Sequence, residues 1–175
     1  MRNSTRKIRR ASHFSPYFIK RLSQWLVLST ALTLAAETHG AAVVWDGDSA
    51  VGTAGDGVSW TDANNWTNGA VDTLPSGGAP GDDLTFGGGT VGTINLGGNQ
   101  FANSLTFNAG FTLGTFATAN QLTITTGVVN TTAAATINAV IAGASGLTLA
   151  AGSTGSLTLT GNNSATLTGV ISIQS

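Results

Sequence analysis

The sequence predicts an all-β protein, a short right-handed parallel β-helix (solenoid) preceded by an N-terminal signal helix. Three observations point there. A short phrase, apolar-Thr-apolar, recurs six times; nothing beyond the leader repeats convincingly at helical spacing; and no charged residue follows Asp83. An antiparallel β-sandwich is the alternative fold.

The leader comes first. Every lysine and arginine of the 175-residue chain (Arg2, Arg6, Lys7, Arg9, Arg10, Lys20, Arg21) precedes an uncharged apolar run, "LSQWLVLSTALTLAA", over 22–36. The small residues "THGAA" follow. A basic n-region, a short apolar run and a small-residue cleavage site together make a secretory signal peptide. The run falls short of the roughly 20 apolar residues a membrane-spanning helix needs, which argues against an uncleaved anchor. Cleavage after Gly40 or Ala42 fits. The expected organisation is therefore a signal peptide over 1–42, an Asp/Trp-rich entry segment over 43–83, and uncharged β-strand repeats over 84–175. The expected localisation is secreted or cell-surface, with membrane contact only through the signal peptide.

Beyond residue 42 there is no Lys, Arg, His, Glu, Cys or Tyr. The ionisable side chains left are Asp46, Asp48, Asp56, Asp62, Asp72, Asp82 and Asp83. Phosphate recognition by side chains needs Lys or Arg, so nucleic acid is excluded as a partner. Without cysteine no disulfide framework exists, although an exported protein could carry one. General acid–base chemistry would have aspartates alone to work with. Paired carboxylates do cleave glycosides, yet the repeats hold no charge with which to grip a substrate. The expectation is a protein that is not an enzyme and has no cofactor.

Two binding readings of the entry segment remain. Calcium is one: "GGAPGDDL" (77–84) approaches the Gly-Gly-x-Gly-x-Asp-x-apolar unit of calcium-binding β-rolls, with Pro80 replacing the third glycine. Asp82 and Asp83 would be its ligands, and "DGDSA" adds Asp46 and Asp48 in a D-x-D spacing. Against this, β-roll sites use consecutive copies, and the D-x-D start lacks the later ligands of an EF-hand loop. Capping of turns by these aspartates is the plainer reading. The other candidate is "SWTDANNW" (59–66), which with Trp45 supplies Trp60 and Trp66. The three rings could form a sugar-stacking platform, with Asp62 or Asn64 taking hydroxyls, or they could plug the end of a solenoid. Terminal coils need capping and aromatics bury large areas, which favours the plug. Asn65-Trp66-Thr67, Asn130-Thr131-Thr132 and Asn162-Asn163-Ser164 also fit the glycosylation sequon.

The repeats follow: "DLTF" (83–86), "SLTF" (104–107), "QLTI" (121–124), "GLTL" (146–149), "SLTL" (156–159) and "ATLTG" (165–169). Each alternates apolar and polar residues with period 2, the mark of a half-buried strand. Gly, Asn, Ala and Ser fill the gaps as turn formers. The alanine-rich stretch 131–144 looks helical in composition, but its β-branched residues predict strand. Successive phrases begin 21, 17, 25, 10 and 9 positions apart. The longer steps suit whole solenoid coils and the last two suit strands within a coil. Roughly five coils at about 4.8 Å each give a rod of about 25 Å. Past Leu84 neither Asn-Gly nor Asp-Gly occurs, which weakens the sandwich, whose hairpins favour such turns.

The order W-D (45–46), G-x-x-W (57–60), N-W (65–66), P-G-D-D-L-x-F (80–86) is similar to the N-terminal entry segment of bacterial surface proteins with autotransporter-associated β-strand repeats. "SLTFNAGFTLG" and "GLTLAAGSTGSLTLTGNNSATLTG" resemble the strand phrases of that family. The resemblance covers nearly all of the chain after the leader. It implies a parallel β-helix at the cell exterior with a structural or adhesive role, partnered by surface glycans or other cell-surface proteins. Members are usually long and end in a membrane β-barrel or a sorting tail, whereas this chain stops at "GVISIQS" in mid-strand. The chain is then a truncated remnant, the product of an artefactual stop, or a small free-standing member, and its open last coil is expected to self-associate, because an uncapped sheet edge invites pairing.

Overall fold

A computed structural model describes residues 40–47, 53–115 and 120–174. Most of the signal peptide and Asp48 therefore lie outside the described residues. The described chain is a parallel β-helix of about four turns. In chain order its strands are β1 (Ala42–Trp45), β2 (Trp66–Thr67), β3 (Asp83–Phe86), β4 (Thr93–Ile94), β5 (Gln100–Phe107) and β6 (Thr112–Leu113). They continue with β7 (Gln121–Thr131), β8 (Ala135–Ile137), β9 (Val140–Ala142), β10 (Leu147–Leu149), β11 (Leu157–Leu159) and β12 (Ile171–Ile173). One 3-10 turn, Ala63–Asn65, precedes β2. The stretch 131–144 is strand, supplying the end of β7 and all of β8 and β9.

Each turn has three strand positions. The first stacks β1, β3, the second half of β5, the second half of β7, β10 and β12, all parallel. The second stacks β4, β6, β8 and β11. The third stacks the first halves of β5 and β7 with β9. Asp83 pairs with Ser104, Ser104 with Val128, and Val128 with Thr148, so a turn consumes about 20–24 residues. Antiparallel pairing is confined to the entry segment, where β2 runs against β1 and Thr67 bridges Asp72. The sandwich alternative is therefore not adopted.

Two details correct the sequence reading. About four turns replace the five expected. "QLTI" lies at the third strand position, beneath Gln100–Ala102, whereas "SLTF" lies at the first. The steps of 17 and 25 positions thus mix coil advance with a change of position. The steps of 21, 10 and 9 read correctly: Leu84 stacks on Leu105, and "SLTL" and "ATLTG" supply the second and third positions after "GLTL".

Strand alternation sends one set of side chains inward on every turn. At the first position the inward column runs Val43, Leu84, Leu105, Val129, Leu149, Ile173. Beside it runs Trp45, Phe86, Phe107, Thr131. Phe86 and Phe107 stack with centroids 4.9 Å apart and planes 15° apart, an offset-stacking distance. The second position sends in Ile94, Leu113, Ile137 and Leu159, and turns out Thr93, Thr112, Thr136 and Thr158 in register. Burial fades along the rod: the inward residues from Val43 to Ile141 are closed off, while Val170, Ile171 and Ile173 are 78%, 61% and 76% exposed.

Glycine marks the corner where the third position passes into the first. A Cβ on Gly127 would lie 2.3 Å from the Gly146 carbonyl oxygen, and one on Gly146 would lie 2.3 Å from that of Val170. Both residues have positive φ, 71° and 81°. Only glycine meets both demands at low cost, so the corner must stay small on consecutive turns.

The column also contains a defect. Thr131 is fully buried beneath Phe107, and its hydroxyl has no hydrogen-bond partner. Replacing such a group by an apolar isostere removes its desolvation cost. Thr131→Val is expected to raise unfolding stability by about 1 kcal/mol, whereas Phe107→Ala should lower it by about 3–5 kcal/mol. Denaturant unfolding followed by far-UV circular dichroism checks both.

Candidate functional site

The entry segment is built around one asparagine. After β1 the chain returns through residues 53–62, enters the 3-10 turn, and lays β2 antiparallel on β1 with Trp45 opposite Trp66. Asp62 caps the 3-10 turn by accepting from the Asn64 N–H. Ser59 bridges Asn95 of the first full turn, which ties the segment to the solenoid. Asn65, fully buried, closes the arrangement. Its Nδ2 donates to Asp56 Oδ1 (2.7 Å) and to the Ser59 carbonyl (2.8 Å). Its Oδ1 accepts from the Gly57 N–H (2.8 Å), and its own carbonyl accepts from the Asp46 and Gly47 N–H groups. Every polar atom of the side chain is thus engaged.

This scaffold sets the three tryptophans over the first turn. Trp45 and Trp66 meet edge to face at 5.0 Å, and Trp60 and Trp66 at 4.8 Å. Phe86 lies beneath all three, with centroids 5.5–6.5 Å away. The Trp66 Nε1–H donates to the Trp60 carbonyl at 2.8 Å. Exposure is 0% for Trp45, 1% for Trp60 and 0% for Trp66. A sugar platform needs an exposed ring face, and none of the three supplies one. The sugar-stacking expectation is therefore corrected: the large rings are more useful buried against Phe86 than presented to solvent. Asp62 is also occupied, since its two oxygens accept from the Asn64 and Asp56 N–H groups.

Of the calcium candidates, Asp48 lies outside the described residues, and Asp82, Asp83 and Asp46 are engaged elsewhere. Asp82, nearly buried, accepts from the Ala41 N–H (2.8 Å) and the Ser76 N–H (2.7 Å), stapling the residue before β1 to the loop that leads into β3. Asp83 Oδ1 accepts from Asn103 Nδ2 and the Ser104 hydroxyl on the next turn. Asp46 is buried at the end of β1. Its carboxyl is pushed above the ordinary range by burial and by the Asp72 charge, against a hydrogen bond of its own backbone. Asp56 shows the opposite displacement. The Ser59 side chain, then Asn65 and the Val58 and Ser59 N–H groups, hold its carboxyl well below the ordinary range despite some burial. Among the described residues no three acidic or histidine side chains converge on a point where a metal would sit.

Asn65 and the phenylalanine column were the residues that sequence reasoning missed. Asn65 carried only a sequon signal. Phe86 and Phe107 did carry a legible one, because "DLTF" and "SLTF" place them 21 positions apart. No family model matches the sequence, and no curated protein or solved structure matches it.

Removing the Asn65 amide would strand Asp56, Gly57 and Ser59 groups that it now satisfies. Asn65→Ala is expected to cost about 1–3 kcal/mol and to shift tryptophan emission to longer wavelength. Millimolar calcium, by contrast, should leave the melting temperature unchanged, since binding to the folded state alone would raise it.

Proposed function

We propose that this chain is an exported, non-enzymatic surface or extracellular protein with a structural or adhesive role. In this reading it is built on the plan of the autotransporter-associated β-strand repeat proteins. The observation that carries the reading is the pairing of a repeat-built parallel β-helix with a buried tryptophan cap at its N-terminal end. A solenoid of this kind offers partners a long, regular surface, here lined by Thr, Ser and Asn and uncharged from Leu84 onward. The carboxylates of the entry segment act as staples for backbone N–H groups. Surface glycans or other cell-surface proteins are the partners this surface suits, by hydrogen bonding along the ladders.

Export supports the same reading, through the basic n-region and apolar run ahead of the solenoid. Self-association also belongs to it, because among the described residues β12 is an edge strand with Ile171 and Ile173 exposed. Expression with the leader in a bacterial host, followed by fractionation and N-terminal sequencing, tests the proposal. The expected product is an exported chain beginning at Ala41 or Val43. Full-length chain retained in the cytoplasm would overturn it. Sedimentation of the exported product at micromolar concentration should show species larger than a monomer.

A further inference from the structure

Among the described residues every ionisable side chain is a carboxylate: Asp46, Asp56, Asp62, Asp72, Asp82 and Asp83. All of them precede or begin the first full turn, and the turns below carry none. Proton concentration therefore has a handle on the entry segment and, through Asp83, on its junction with the next turn, and no side-chain handle further along the rod.

Within the entry segment one latch bears most on the tryptophans. Asp56 Oδ1 accepts from the Val58 N–H (2.9 Å), the Ser59 N–H (2.7 Å) and Asn65 Nδ2 (2.7 Å). Asn65 in turn holds the Ser59 carbonyl and, through its backbone, the end of β1. Trp60 follows Ser59 and Trp66 follows Asn65, so both rings hang from residues that Asp56 fixes. We propose that this latch makes the cap an acid-released cover, in which protonation of Asp56 loosens residues 53–66 and uncovers Trp60 and Trp66 while the turns below stay folded.

The sign follows from the position of the Asp56 carboxyl. It is held below its ordinary value of 3.8. Its stabilisation is therefore complete above that value and is lost as the pH falls through the folded-state value, beginning below about pH 4. Asp62 is the carboxylate facing it, through the Asp56 N–H. Asp46 and Asp72 face each other at the end of β1, and Asp82 and Asp83 serve β1 and the second turn. Asp46, raised by burial, has the opposite sign: its protonation in acid relieves a cost, which keeps β1 in place while the latch opens. No lysine, arginine or histidine faces the latch among the described residues, so no ion pair compensates.

The test uses the full chain carrying Trp25→Phe, which restricts emission to Trp45, Trp60 and Trp66. Titration from neutrality to about pH 1 follows tryptophan emission and the far-UV strand signal together. The expected result is a reversible red shift at the acid end of the titration, well below the ordinary carboxylate range, with the strand signal retained. Asp56→Asn should show the red shift already at neutral pH. Emission and strand signal collapsing together, or emission staying blue throughout, would overturn the proposal. So would an Asp56→Asn variant that titrates like its parent. Should that variant fail to fold, the parent titration decides alone.

Discussion

A single turn of this chain cannot bury its own apolar side chains, so each turn depends on the one stacked against it. Inward residues must therefore resemble their neighbours about 4.8 Å above and below. Leu84 on Leu105 and Phe86 on Phe107 satisfy that condition. So does the column Ile94, Leu113, Ile137, Leu159. The same condition creates a problem at the first full turn, where the face of Phe86 has no repeat above it. Trp45, Trp60 and Trp66 solve it by closing over that ring. The tryptophan cluster is thus a consequence of stacking.

The distribution of charge has the same origin. Strands in regular ladders satisfy their backbone groups through one another, and the repeats need few side chains for that work. The entry segment has irregular backbone and little ladder, so its N–H groups need other acceptors. Asp56, Asp62, Asp72 and Asp82 supply them. The outward face of the ladders needs no such acceptors, and Thr93, Thr112, Thr136 and Thr158 recur there in register without charge.

Much of this was legible in the sequence, for definable reasons. Alternation in "DLTF" and "SLTF" reports both strand and stacking, since identical phrases can lie one above the other only in parallel register. Tryptophans ahead of uncharged repeats read as an end plug, and burial agrees. Coil count was not legible, because "QLTI" repeats the phrase at a different strand position and the long β7 runs through a corner. The role of Asn65 was hidden too. Its partners Asp56, Gly57 and Ser59 are close in sequence, but nothing in residue type announces that one amide serves them all. Short polar side chains in irregular loops have many possible partners, and only geometry selects among them.

Stability is seeded at the capped aromatic end and declines along the stack. Native-state hydrogen exchange measures it most directly, because protection reports the local free energy of opening. The slowest exchange is expected for amides of β3, β5 and the second half of β7, beneath the tryptophan cap, with protection falling through β10 to β12. Exchange as fast in β3 as in β12, or slowest in the last turns, would contradict it.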